Sequence, residues 1–279
     1  MLDRRTASNG IVYYESPLLR ACGVPHAFST RIGGTSPPPF DSLNLGNPSG
    51  CDVQDDYPRI YENYASLQET VGLGGRTRCW VHQVHGGEVA LIERDRPFES
   101  GIKADAMVSN DPTRILSVRT ADCVPVLMST ADGRCVGAIH AGWRGVVAGV
   151  VPKALQSLTA RNALAPSAGT PGRSCDEGLD LFAAIGPCIG LEHFEVGPEV
   201  LDQFERVFDV RAPLRRRDDG KGHVDLREAV RLQLLAAGVG EDRIDTTDRC
   251  SFRDREEFFS HRRDNGMTGR MAALISPRP

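Results

Sequence analysis

Three side chains stand out for the chemistry they would do together: His85, Cys123 and His140. Two imidazoles and a thiolate suit Zn2+. Three protein donors with a fourth position left for solvent or substrate is the pattern of a catalytic zinc, since structural zinc normally takes four. The spacing of two of them has a physical basis. Asp132-Gly133 lies between two apolar runs, Val124–Ser129 and Cys135–Ile139, and signals a hairpin with a two-residue turn. With those residues at the turn centre, Ala131 pairs with Arg134 and Pro125 lies opposite His140. Side chains alternate between faces, so Cys123 shares the face of Pro125 and becomes a diagonal neighbour of His140, roughly 7–8 Å away at Cα. A slip of one residue would send the two to opposite faces.

His85 belongs to a separate segment, Trp80-Val81-His82-Gln83-Val84-His85-Gly86. Read as a strand, this run puts His82 and His85 on opposite faces, and the Gly86-Gly87 turn leaves His85 nearer the open end. His82 is therefore the competing third ligand. The same residues also fit a buried thiol beside two hydrogen-bonded core histidines, or a metal-free hydrolase with Cys123 as nucleophile and His140 as base.

The elements that must hold these groups are mostly short strands. Cys79–Val84, Glu88–Ile92, Ala106–Ser109, Ile115–Arg119, Val124–Ser129 and Cys135–Ile139 are rich in Val, Ile and Leu. A helix is expected from Trp143 or Arg144 to about Ala160, because Val147, Val150, Val151, Leu155 and Leu158 recur at helical spacing. Leu179–Ile185 reads as a strand, and Pro198–Val207 and Leu226–Ala237 read as amphipathic helices. Asp225 is placed to cap the second of them, and Met271–Ile275 reads as a closing strand. Ile32 to Asn47 and Arg161 to Glu177 read as irregular stretches, and Arg215 to Gly222 as a solvated charged loop. Strands punctuated by helices without a βαβ rhythm predict an α+β fold, with mixed β-sheet layers flanked by helices in a single domain spanning 1–279.

Composition narrows the partners. With 40% hydrophobic and 25% charged residues, the chain can bury an ordinary core. A net charge of −4 leaves no basic footprint for nucleic acid, and no run approaches the ~18 apolar residues of a membrane span. The first residues carry charge without an apolar stretch behind them, so the expectation is a cytoplasmic protein, monomeric or weakly homo-oligomeric. The eight cysteines are irregularly spaced with no CxxC, which argues for free thiols rather than disulfides.

Several motifs in fixed order carry a resemblance. Trp80–Gly86 (WVHQVHG), Ala104–Val108 (ADAMV), Thr120–Val126 (TADCVPV), Ala138–Gly145 (AIHAGWRG), Ala184–Gly190 (AIGPCIG) and Gly269–Ala273 (GRMAA) resemble the laccase-domain family. That family was long labelled multicopper polyphenol oxidase and is now described as purine nucleoside phosphorylase. Ser29–Gly34, Ser42–Gly46 and Phe259–Asp264 fit it as well, although His261 stands where the family usually has Tyr. The resemblance places the zinc ligands on His85, Cys123 and His140. It implies phosphorolysis of adenosine, inosine and methylthioadenosine, deamination of adenosine, and a fold shared with toxin cysteine deamidases. Its substrates would be purine nucleosides and phosphate.

In that chemistry, arginine forks would hold phosphate. Arg31 in its Gly-rich loop and Arg144 after the zinc histidine are the first choices, and Asn44 is a candidate for ribose or base. Asp105, Asp122 and Glu195 are candidates for moving a proton. The older copper label fits less well: the chain has seven histidines and no His-x-His element, whereas copper laccases need many ligands.

Overall fold

Strand alternation in the middle of the chain sets the layering. Leu127 and Ala138 enter one buried cluster, while Val126, Met128 and Ile139 enter another on the opposite face. Both faces of these strands are covered, which is why they read as continuous apolar runs.

The computed structural model describes residues 1–94, 96–99, 101–164 and 180–279. In chain order the elements are β1 (Asp3–Thr6), β2 (Val12–Glu15), α1 (Pro17–Ala21), β3 (His26–Ser29), α2 (Tyr57–Thr70), β4 (Thr77–Cys79), β5 (Val89–Ile92) and β6 (Ala106–Ser109). They continue as β7 (Arg114–Thr120), β8 (Val124–Thr130), β9 (Val136–Ala141), α3 (Trp143–Val147), α4 (Val150–Leu164), β10 (Leu181–Ile185), β11 (Glu195–Val196) and α5 (Pro198–Phe208). Last come β12 (Leu214–Arg216), β13 (Gly222–Val224), α6 (Leu226–Ala236), β14 (Ile244–Asp245) and β15 (Met271–Ile275).

Two six-stranded sheets form, in the orders β1-β2-β3-β15-β7-β4 and β14-β10-β8-β9-β6-β5, with β11-β13-β12 as a small third sheet. Most pairs are antiparallel, but β4–β7, β5–β6 and β10–β14 are parallel, so the fold is the mixed α+β type. The two large sheets share an apolar layer holding Phe28, Leu116, Val118, Leu127, Ala138 and Ala273. Helix α2 covers the outer face of the first sheet through Ile60, Tyr64 and Leu67. Helices α3 to α6 cover the outer face of the second through residues such as Val151, Leu158, Phe204 and Val230. The result is four layers, helix on sheet on sheet on helix, each burying one apolar face against the next.

The hairpin register matches expectation: Pro125 pairs with His140 and Ser129 with Val136. The turn differs. Gly133 donates to the Thr130 carbonyl at 2.9 Å and has φ 69°, so Ala131 and Asp132 form the turn centre and Gly133 takes the left-handed position after it. Asp132 Oδ1 holds both Thr130 Oγ1 and the Arg134 amide. The longer loop keeps the same register because the apolar runs on both sides fix it.

Other expectations shift at their ends. Strand β4 stops at Cys79, five residues before the expected Val84. The helix after His140 is split at Gly149, whose φ of 74° ends one piece and starts another. The charged loop expected from Arg215 to Gly222 is the exposed tip of the β12–β13 hairpin, the strands taking Arg215, Arg216 and Gly222 at its ends, and its three arginines pair with Glu192, Glu205 and Glu195. Asp225 caps α6 by accepting from the Glu228 amide at 3.0 Å. Of the irregular stretch expected from Arg161 to Glu177, the first four residues finish α4. Residues 165–177 lie outside the described residues, as does Leu179. The seven cysteines described are free, and Cys79, Cys135, Cys188 and Cys250 are buried. Among the described residues no helix is long and apolar enough to cross a membrane.

Candidate metal centre and its cavity

His140 sits on β9, on the face that points between the two sheets, and Cys123 lies just before β8 on the same face. Their ligand atoms and that of His85 lie within 4.8 Å of one another, and this trio is the one such His/Cys/Asp/Glu group among the described residues. The imidazole rings of His85 and His140 meet edge to face, with centroids 4.9 Å apart.

His85 gets there by a route that strand alternation does not describe. Residues 80–87 form no strand, only an isolated bridge from His82 to Lys103. The backbone instead wraps around the carboxylate of Asp105. Val84 and Gly86 amides donate to Oδ2 at 3.2 and 2.6 Å, and the His85 amide donates to Oδ1 at 2.9 Å. His85 itself takes φ 58°, a left-handed conformation that costs a non-glycine residue on the order of 1–3 kcal/mol. The three amide bonds to a buried charge offset that cost. His82 and His85 thus both line the same cavity, and only His85 joins Cys123 and His140.

Asp105 also orders the second histidine. Its Oδ1 lies 2.8 Å from His140 Nδ1, and its carbonyl accepts the His140 amide at 2.7 Å. Burial alone would raise the Asp105 pKa, but His140 and the amides of Gly86 and Val84 reverse that and hold it below the usual range. The carboxylate is therefore an acceptor only, so His140 Nδ1 carries the proton and Nε2 is left to bind. Asp105 serves as the scaffold of both imidazoles.

Electrostatics favour a thiolate. Burial opposes it, yet the charge and hydrogen bond of His140, joined by His85, bring the Cys123 pKa down to about 6. His140 moves the other way, to about 9, because the Cys123 and Asp105 charges overcome the burial penalty. A thiolate is the form a metal needs, and a metal bound there would displace the proton that His140 Nε2 otherwise holds against it. Close approach is secured by Gly142. A Cβ there would stand 2.8 Å from His85 Cδ2 and 3.1 Å from Cys123 Sγ, so any larger residue would push the donors apart.

Beside Cys123, Asp122 has φ 92°. Its carboxylate accepts from Ser251 Oγ at 2.6 Å and from the Arg262 amide at 2.7 Å. These bonds tie the segment from Cys250 to Arg262 against the trio.

The trio opens into a cavity of about 430 Å³, large enough for a small organic ligand. Trp143, Ile189, Phe194 and Leu226 give it an apolar wall, while Arg119, Arg144, Arg262 and Arg270 give it charge. Asp122 is the one carboxylate among the described lining residues, and both its oxygens are engaged.

The expected site residues divide accordingly. Arg144 lines the cavity, its guanidinium 4.3 Å from the centre of the Trp143 ring. Arg31 and Asn44 have other places, and we assign neither to substrate. Arg31 lines a separate surface hollow, pairs with Asp41 at 3.0 Å and stacks on Phe259. Asn44 is fully buried: Nδ2 donates to Asp55, and Oδ1 accepts the amides of Gly46 and Arg270. Glu195 also lies outside the cavity, bound to Arg217 and Lys221. Arg119 and Arg270 were not singled out from sequence as site residues. Their one signal is position: Arg119 immediately precedes the TADC run, and Arg270 lies within GRMAA.

A family model described as multi-copper polyphenol oxidoreductase laccase matches residues 25–278. The chain belongs to this laccase family. Relatives carry a different name. The purine nucleoside phosphorylase YfiH of Shigella flexneri is 38% identical over 254 residues, 91% of this chain and 93% of its own. A purine nucleoside phosphorylase of Deinococcus radiodurans is 36% identical over 261 residues, 93% and 92% of the two chains. The crystal structure of YlmD from Geobacillus stearothermophilus superposes with a TM-score of 0.83 at 31% identity, covering 99% of both chains.

Proposed function

We propose that this protein is a zinc-dependent purine nucleoside phosphorylase. On this reading it takes adenosine, inosine and S-methyl-5′-thioadenosine with inorganic phosphate, and releases free base and the (methylthio)ribose 1-phosphate. The observation that carries it is the opening of a His85/Cys123/His140 donor set into a cavity with an apolar wall and four arginines, Arg119, Arg144, Arg262 and Arg270, that have no ion-pair partner among the described residues. The names of the relatives point to the same chemistry. The donor set fits zinc: two imidazole nitrogens, one of them presented by the Asp105 hydrogen bond, and a sulfur held as thiolate. Zinc held there supplies Lewis acidity to a group bound in the cavity.

The residues of the chain account for the rest. The apolar wall of Trp143, Ile189, Phe194 and Leu226 suits a purine. Guanidinium groups hold phosphate against the ribose, where positive charge builds as the bond from C1′ to the base breaks. A phosphate oxygen then bonds C1′, and the departing base takes a proton. His82 and His261, both on the cavity wall, are the groups in reach of that proton, because Asp105 and Asp122 are fully engaged. Arg144 is assigned to substrate. Adenosine deamination, the second activity the family resemblance implies, would draw on the same two histidines.

One observation favours a second reading. The Cys123–His140 pair, with its thiolate and protonated imidazole, would also serve a metal-free cysteine hydrolase. Product analysis separates the two. With inosine, base release should require phosphate, should yield ribose 1-phosphate, and should fall to background once a chelator removes the metal. Base release from inosine that ignores both phosphate and chelator would overturn the phosphorylase reading.

A further inference from the structure

Arg119 and Arg270 line the same cavity, and neither has a carboxylate within ion-pair distance among the described residues. Arg270 Nη1 donates to the carbonyls of Thr268 and Gly269 at 2.9 and 3.0 Å, leaving Nε and Nη2 without a partner among the described residues. The Arg119 guanidinium makes no hydrogen bond among them and lies 5.9 Å from the centre of the Trp80 ring. Burial, then the neighbouring charge of Arg119, push Arg270 below the usual guanidinium range. Two like charges placed together with no direct ion-pair partner are unfavourable, and an anion bound between them relieves that. The charge of Asp122 is felt by Arg270, but its carboxylate is held by Ser251 Oγ and the Arg262 amide and ion-pairs with neither guanidinium.

Both arginines are fixed by their backbones. Gln83 grips Arg119 with its amide side chain, donating to the carbonyl at 2.8 Å and accepting from the N–H at 2.9 Å. Buried Asn44 accepts the amides of Gly46 and Arg270 at 3.1 and 2.9 Å. Gly46 gives Arg119 room: a Cβ at that position would lie 2.8 Å from both Cδ and Nη1 of the arginine. Asn44, a candidate for ribose or base from sequence, and Gly46 therefore bear on this cavity through the two arginines.

We propose that Arg119 and Arg270 form the clamp for the inorganic phosphate that enters this cavity as second substrate. The assignment rests on the phosphorylase reading for what the phosphate does, but not for whether it binds. The test uses full-length protein as purified, with Arg119→Gln, Arg270→Gln, the double variant, and the charge-keeping Arg119→Lys and Arg270→Lys. Phosphate binding is followed by calorimetry without nucleoside, and turnover by the separate KM values for phosphate and inosine.

Each Gln variant should weaken phosphate, in affinity and in KM, on the order of 10- to 100-fold. The double variant should lose detectable binding, and the Lys variants should recover part of it. The inosine KM should stay within about threefold, and melting temperatures should match the wild type within a few degrees. Unchanged phosphate affinity in the Gln variants would overturn the clamp, as would a raised inosine KM with phosphate unaffected. So would weakened binding of inosine 5′-monophosphate with inorganic phosphate unaffected, since the pair would then serve a phosphate carried by the nucleoside. Wild-type protein that binds phosphate but releases no base would sink the phosphorylase reading alone, and the binding data would still judge the two arginines.

Discussion

Replacing His85 with alanine should remove the metal and lower the proposed phosphorolysis by about a thousandfold or more, the scale of losing several kcal/mol of transition-state stabilisation. His82→Ala should keep the metal and lose only part of the activity, well short of the loss in His85→Ala, since His261 is a second group in reach of the base's proton. The contrast follows from geometry. Both rings face the cavity, but His85 alone lies within 4.8 Å of the donors of Cys123 and His140. Metal content and kcat/KM of the two variants, measured side by side, check this. Metal loss in His82→Ala with retention in His85→Ala would mean that the turn around Asp105 is misassigned.

The second large effect belongs to Asp105, which touches no cavity surface. Its two oxygens take four donors: the amides of Val84, His85 and Gly86, and His140 Nδ1. Asp105→Asn keeps the shape but replaces one acceptor oxygen with an NH2 group, leaving two of these donors facing another donor. Each buried unpaired donor costs about 1–3 kcal/mol, so the melting temperature should fall on the order of 5–10 °C. Metal affinity should drop about 10- to 100-fold, since the second ring nitrogen of His140 loses its charged partner.

The pH dependence has a definite sign. The folded-state pKa of Asp105 is lowered, so its contribution is complete above the unfolded carboxylate value of about 3.9 and is lost as pH falls through the lower folded value. The stability gap between wild type and Asp105→Asn should therefore be full at neutral pH and close in acid. Equal melting temperatures at pH 7 would show that the carboxylate does not hold the turn.

How much of this could be read beforehand depended on how local each interaction was. The β8–β9 pairing was legible because apolar runs on either side of Asp132-Gly133 leave one register with both faces buried, even though the turn itself is a different type. Helix α6 and its Asp225 cap were legible for the same reason. The path of residues 80–87 was not. An alternating run suggested a strand, but a carboxylate 20 residues away captures the His85 amide, and its neighbours' amides with it, and bends the backbone. Helix α2 was hidden because Ile60, Tyr64 and Leu67 make a narrow apolar stripe on an otherwise polar segment. Arg31 and Arg144 looked equivalent in sequence. The fold separates them, since Arg31 finds Asp41 and the backbone of residues 41 and 255, whereas Arg144 lies four residues after His140 and lines the cavity. Arg119 and Arg270 converge from β7 and from the approach to β15, and no short-range pattern links them.

The central claim, a catalytic zinc held by His85, Cys123 and His140, meets its most direct test in elemental analysis of freshly purified wild type beside Cys123→Ala. The wild type should carry one zinc per chain, and the variant, with a thiolate removed from a three-donor set, should carry almost none. Stoichiometric zinc in Cys123→Ala would remove that residue from the site, and three or four coppers per wild-type chain would contradict the account outright.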